Sequence, residues 1–151
     1  YYVAVLIGGG YFLSKKCVFK FSRKLIRRDK LRELVAGGVN IRALSIAETQ
    51  DFGVLRFIAD DDEKAAAVLR DAGHILSLTP VLAVVLKDEP GALAETLVIL
   101  ARAGIDVEYT YAFLTPRSGT ACMIFRVADN AAAAKVLSEA GIALAVKNDM
   151  V

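Results

Sequence analysis

Asp88-Glu89-Pro90-Gly91-Ala92-Leu93 stands between an apolar run, Val81 to Leu86, and a helical run, Leu93 to Ala103. A strand-like segment on one side and a helix on the other make this a tight turn, and proline and glycine supply the backbone geometry such a turn needs. At a glycine-containing turn of this kind a small anion reaches the N–H groups of a helix start without meeting a Cβ atom. The chemistry indicated is binding, not catalysis.

The surroundings of the turn occur twice. Leu34-Val35-Ala36-Gly37-Gly38-Val39-Asn40-Ile41 returns as Leu100-Ala101-Arg102-Ala103-Gly104-Ile105-Asp106-Val107, displaced by 66 residues (100 minus 34). Val68-Leu69-Arg70-Asp71-Ala72-Gly73 returns as Val136-Leu137-Ser138-Glu139-Ala140-Gly141, displaced by 68 (136 minus 68). The period exceeds the roughly 20 to 50 residues of solenoid repeats, so the chain reads as two small domains and not as an array. The division expected is an N-terminal segment 1–16, a first unit 17–79 and a second unit 80–151, with Pro80 at the junction.

Periodicity assigns the elements. Each half reads as strand, helix, strand, strand, helix, strand. In the second half, Leu93, Leu97, Leu100 and Ala101 recur at helical spacing, while Ile105, Val107, Tyr109, Tyr111 and Phe113 alternate with polar or small residues at strand spacing. Pro116-Arg117-Ser118-Gly119 is a turn leading into Ala121 to Val127, and Asp129 is placed to cap a helix carrying Ala133, Val136, Leu137 and Ala140 that stops at Gly141. The first half matches with Val39 to Ala47, Gly53 to Ala59, a helix bearing Ala65, Val68, Leu69 and Ala72, and a strand from Ile75 to Leu78. One part does not match. Opposite Asp88 to Gly91 the first half has Ser22-Arg23-Lys24-Leu25, and only Leu31, Leu34 and Val35 keep the inner stripe of its helix.

Composition sets limits. The 151 residues are 56% hydrophobic and 24% charged, a globular balance with enough chain for one good core or two small ones. Units of about 60 residues bury only about 60% of their unfolded surface, so the halves are expected to lean on each other. Cys17 and Cys122 show no CxxC spacing and there is a single histidine, His74, which argues against a disulfide framework or a metal site and for a reduced, cytoplasmic setting. His74 follows the helix-stopping Gly73, a common structural place for histidine.

The net charge of +2 is unevenly spread. Lys15, Lys16, Lys20, Arg23, Lys24, Arg27, Arg28, Lys30 and Arg32 are nine of the 19 basic residues, opposed only by Asp29. The apolar opening from Tyr1 to Leu13 falls short of the roughly 18 residues of a spanning helix and lacks the features of a signal peptide. Poor local order is expected from Cys17 to Lys30, where positive charge crowds a helix start that prefers negative charge. Membrane and nucleic acid are the disfavoured partners of the basic stretch 15–32, which ordinarily makes a solvated face.

The chain resembles tandem ACT-domain proteins. The resemblance rests on a strand, then D-x-P-G-x-L at Asp88 to Leu93, a helix, and G-[VI]-[ND]-[IV] opening the next strand at Gly38 to Ile41 and Gly104 to Val107. It implies an α+β fold of two ferredoxin-like βαββαβ units side by side, forming an antiparallel sheet with eight core strands and helices on one face. It also implies a regulatory, non-catalytic protein that binds an amino acid between units, acts as a homo-oligomer, and controls a separate enzyme. Residue by residue, it places Asp88, Glu89, Pro90, Gly91, Ala92 and Leu93 opposite Asn40 and Ile41 in one site. A second, weak site combines Ser22 and Arg23 with Asp106, its glycine turn having been lost. No cofactor is implied.

Rival readings fare worse. The same element order occurs in RNA-binding RRM domains, but Gln50-Asp51 replaces the basic and glycine residues before Phe52, and acid there would repel phosphate. No GxSxG elbow or P-loop is present. A structural dimerisation module without ligand is the alternative to an amino-acid sensor, followed by a nucleic-acid or membrane-surface binder acting through 15–32.

Overall fold

A computed structural model describes residues 13–22, 28–48, 52–113 and 118–145, with side chains for 31–47, 54–112 and 118–145. Its elements are β1 (Leu13–Ser22), α1 (Arg28–Ala36), β2 (Ile41–Glu48), β3 (Phe52–Ala59), α2 (Asp62–Asp71), β4 (Leu76–Lys87), α3 (Ala92–Arg102), β5 (Val107–Phe113), β6 (Thr120–Val127), α4 (Asn130–Glu139) and β7 (Ala143–Leu144). Among the described residues the chain divides into two compact units, the first from Lys15 to Thr79 and the second from Pro80 onward together with Leu13 and Ser14.

Both units are α+β with the ferredoxin-like βαββαβ order. In the first, β3 pairs antiparallel with β2 and with β1, and the strand order is β2-β3-β1-β4. In the second, β6 pairs antiparallel with β5 and with β4, whose other edge takes β7, giving β7-β4-β6-β5. Position for position the two orders are the same, as a duplication requires.

The strand expected at Ile75 to Leu78 and the one expected at Val81 to Leu86 are one continuous strand, β4, so the described residues hold seven strands where eight were expected. Pro80 cannot donate to a ladder. It sits just before the pairing with β6 begins at Leu82 opposite Phe125, so the missing N–H falls outside that ladder. In the second unit β4 lies between β6 and β7, which accounts for its apolar run from Val81 to Leu86: Val81, Leu82, Ala83 and Val84 are all fully buried.

Each unit has its own core. Leu34, Phe57, Ala65, Ala66, Leu69 and Leu76 form the first, and Leu82, Val84, Leu100, Phe125, Ala133 and Leu137 the second. All four helices close in the same way. The first residue past the glycine donates back to the residue five positions earlier, as Ile105 N–H does to Leu100 O and Ile142 N–H to Leu137 O, both at 2.9 Å. This 6→1 closure satisfies carbonyls that the helix end leaves open.

Several expected stripes are rotated. Leu93 is 37% exposed and Ala101 is exposed, while Thr96 and Leu100 are buried and Ala92, Leu97 and Ile99 half-buried. A polar residue thus occupies the centre of the α3 stripe, its hydroxyl donating to Ala92 O at 2.9 Å, and apolarity alone misplaces the face. Val35 is 71% exposed because one residue beyond buried Leu34 turns about 100° away around the helix. Ala72 and Ala140, expected on inner faces, are exposed cap residues past the ends of α2 and α4. Val68 and Val136 are half-buried, Leu69 and Leu137 fully so.

The expectation of poor order from Cys17 to Lys30 falls partly on 23–27, which lie outside the described residues, as do the side chains of the whole stretch. Its described backbone is the end of β1 and the start of α1.

Candidate ligand site at the start of the third helix

Helix starts leave four N–H groups without intrahelical partners, and side chains usually satisfy one or two. Asp61 caps α2 by accepting from Lys64 N–H at 2.9 Å, and Asp129 caps α4 by accepting from Ala132 N–H at 2.9 Å. At α3 no side chain does this. Its N-cap is Gly91, with φ 97° and ψ −24°, a left-handed conformation that L-residues adopt only under strain.

The turn is held by main-chain bonds. Asp88 N–H donates to Gly119 O at 3.1 Å, Ala92 N–H to Glu89 O at 3.3 Å, and Glu95 N–H to Gly91 O at 2.9 Å. Asp88, Glu89, Pro90 and Gly91 are all exposed. A Cβ at Gly91 would meet no described atom within 4 Å, so within the chain the glycine is required by backbone conformation and not by crowding. An uncapped, solvent-facing helix start with adjacent carboxylates can receive an anion on its amides and a cation on Asp88 or Glu89.

A groove of about 470 Å³ opens beside the turn within the second unit. Of the six turn residues expected in a site, Glu89, Pro90 and Ala92 line it, and Asp88, Gly91 and Leu93 do not. Its other walls include Val85 to Lys87 on β4, Thr96 and Ile99 on α3, and the corner from Ala140 to Ala143 between α4 and β7. Sequence reading misses this corner, because Gly141-Ile142 signals only a helix stop and nothing in the pattern shows that β7 is short.

Asn40 and Ile41 belong to the first unit. Asn40 is exposed, and its main chain is clasped on both sides by Asp60: Asn40 N–H donates to Asp60 Oδ1 and Asp60 N–H to Asn40 O, each at 3.0 Å. This leaves the Asn40 side chain available to solvent. Ile41 packs half-buried against the first core. Of the weak site, Asp106 is exposed just before β5, Ser22 ends β1 opposite Phe52, and Arg23 lies outside the described residues. His74 packs as a structural link, its Nε2 at 2.7 Å from Glu33 Oε2 on α1.

Among the described residues no group of three or more His, Cys, Asp or Glu is placed to hold a metal ion, and no helix is long and apolar enough to cross a membrane. Cys122 is buried.

The sequence profile of the ACT domain pair family matches residues 16–150, nearly the whole chain. The chain belongs to the ACT domain pair family. Among solved structures, this ACT pair superposes on protein BT0572 from Bacteroides thetaiotaomicron with a TM-score of 0.85 and 30% identity, covering 93% of this chain and 96% of that one. The ligand-free regulatory subunit of aspartate kinase from Thermus thermophilus gives a TM-score of 0.63 at 14% identity, with 90% and 99% covered. The corresponding subunit from Thermus flavus gives 0.58 at 14%, with 87% and 95% covered. At that identity the two kinase subunits establish likeness of fold. A search of curated proteins finds no match.

Proposed function

We propose that this ACT pair is a non-catalytic regulatory protein that binds a free amino acid at the start of α3. The observation that carries the reading is the contrast among helix starts: α2 and α4 are capped by Asp61 and Asp129, whereas α3 begins at an exposed, left-handed glycine with no side-chain cap. The ligand carboxylate takes the first-turn amides and Asp88 takes the ammonium. A charge at such a helix start gains about 0.3 to 1 kcal/mol when exposed and up to about 2 kcal/mol when partly buried. Beside Asp88 a carboxylate is repelled, so the zwitterion has one orientation.

By the resemblance to paired ACT sites, Asn40 and Ile41 are further candidate contacts of the ligand. The second combination, Ser22 and Arg23 with Asp106, is weak or empty because it lacks the glycine turn. The regulatory role is supported by membership of the family; the two Thermus fold relatives are each a regulatory subunit of aspartate kinase. The partners in this reading are an amino acid, a second copy of the chain, and a separate regulated enzyme, in a cytoplasmic setting without a cofactor.

A thermal-shift screen of the twenty amino acids tests it. A ligand free at 100 times its Kd adds about 2.7 kcal/mol of stability, a shift of several degrees. A response to one or two amino acids that Asn40→Ala weakens supports the reading; no response to any of the twenty rejects it in favour of a structural dimerisation module.

A further inference from the structure

The edge strands of the two units differ where their folds agree. Among the described residues β2 pairs with β3 alone and β5 with β6 alone, so each has one open edge. On β2, Leu44 stands opposite Phe57 and Ile46 opposite Leu55. Directly opposed residues share a face of the sheet, so Leu44 and Ile46 lie on the face that carries the first core. The matching positions of the second unit are Thr110, opposite Phe125, and Ala112, opposite Met123, on the face of the second core. There the outermost row of the core face ends in a hydroxyl and a single methyl, both exposed. In the first unit it ends in two large aliphatic side chains, with Leu44 42% exposed and Ile46 45%.

Open edges are ordinarily guarded against pairing by charge, proline or a bulge. The irregularity of β2 lies at one end, between Ile41 and Ala43, and from Ala43 to Ala47 the strand has no charge, proline or glycine. That stretch is complementary to itself. Turned by two-fold rotation about Ser45, a second β2 runs antiparallel to the first and sets Leu44 against Ile46 twice and Ala43 against Ala47 twice. The charged residues of the strand, Arg42 and Glu48, stand near its opposite ends, so each end meets an end of the other sign. A parallel partner in register would set like charge against like.

We propose that the β2 edge of the first unit is the surface on which two copies of this chain pair, antiparallel about Ser45. The contact is isologous: one patch meets itself, main-chain bonds join the two edges, and Leu44 and Ile46 of both copies cover each other. The proposal rests on the reading above for a second copy as partner and supplies its surface, but it does not involve the start of α3. A strand pair with four aliphatic side chains is a small interface, for which a Kd of micromolar order is expected.

Sedimentation equilibrium of the full chain without added amino acid, from about 1 to about 500 µM, tests it. A monomer–dimer equilibrium is expected, with amide hydrogen exchange slowing in β2 and not in β5 as the dimer fills. Leu44→Thr with Ile46→Ala gives the first unit the edge of the second and should weaken dimerisation at least about 100-fold. Leu44→Lys with Ile46→Lys should abolish it, whereas Thr110→Lys with Ala112→Lys should leave it unchanged. The proposal is overturned if the chain is monomeric throughout, if either folded β2 variant dimerises as the unsubstituted chain does, or if the β5 variant dissociates the dimer as the β2 variants do. The two readings fail separately: a chain that stays monomeric yet responds to an amino acid overturns the pairing alone, and a β2-dependent dimer that responds to none of the twenty overturns the ligand reading alone.

Discussion

At the scale of single residues, Gly91 concentrates the account. Its φ of 97° is left-handed, and a side chain there costs about 1 to 3 kcal/mol of strain although no described atom obstructs it. Gly91→Ala should therefore lower the unfolding free energy by that amount, seen as a lower midpoint of chemical denaturation at unchanged slope, and Gly91→Val should lower it further. The capping aspartates should behave as ordinary caps. Asp129→Ala and Asp61→Ala each remove the side-chain acceptor of a 2.9 Å bond and should each cost about 0.5 to 2 kcal/mol, with ligand binding retained. The Pro-Gly turn and the Asp129 cap were legible because their chemistry is local. The bond from Asp60 to Asn40 was not, since it joins residues 20 apart in sequence.

At the scale of elements, α3 shows why a buried stripe is harder to read than a helix. Its existence follows from spacing, but Thr96 is 1% exposed and Leu93 37%, so the face turns on a threonine that satisfies its own hydroxyl by bonding to Ala92 O. Leu100→Ala should cost about 2 to 5 kcal/mol, the range for emptying a buried leucine site, whereas Leu93→Ala should stay within about 0.5 kcal/mol. Urea unfolding of the two variants compares them directly, and similar losses would mean that Leu93 is buried. The strands at Ile75 to Leu78 and Val81 to Leu86 were each legible, but their union into β4 was not, because Pro80 reads as a break and interrupts only one donor.

At the scale of the whole molecule, the duplication carried most of the reading. Two copies of one element order, visible as the return of Leu34 to Ile41 at Leu100 to Val107, gave the fold its class. The groove was not legible, because its walls come from β4, α3 and the α4–β7 corner, more than 50 residues apart from Val85 to Ala143. Whether function is equally divided between the copies is where the central claim is most exposed. That claim is that an amino acid binds at the start of α3, and isothermal titration calorimetry of the amino acid found by thermal shift, on the full chain and on folded Gly91→Val, tests it most directly. The account predicts saturable binding to the unsubstituted chain and none to Gly91→Val. Equal affinity in both would contradict it.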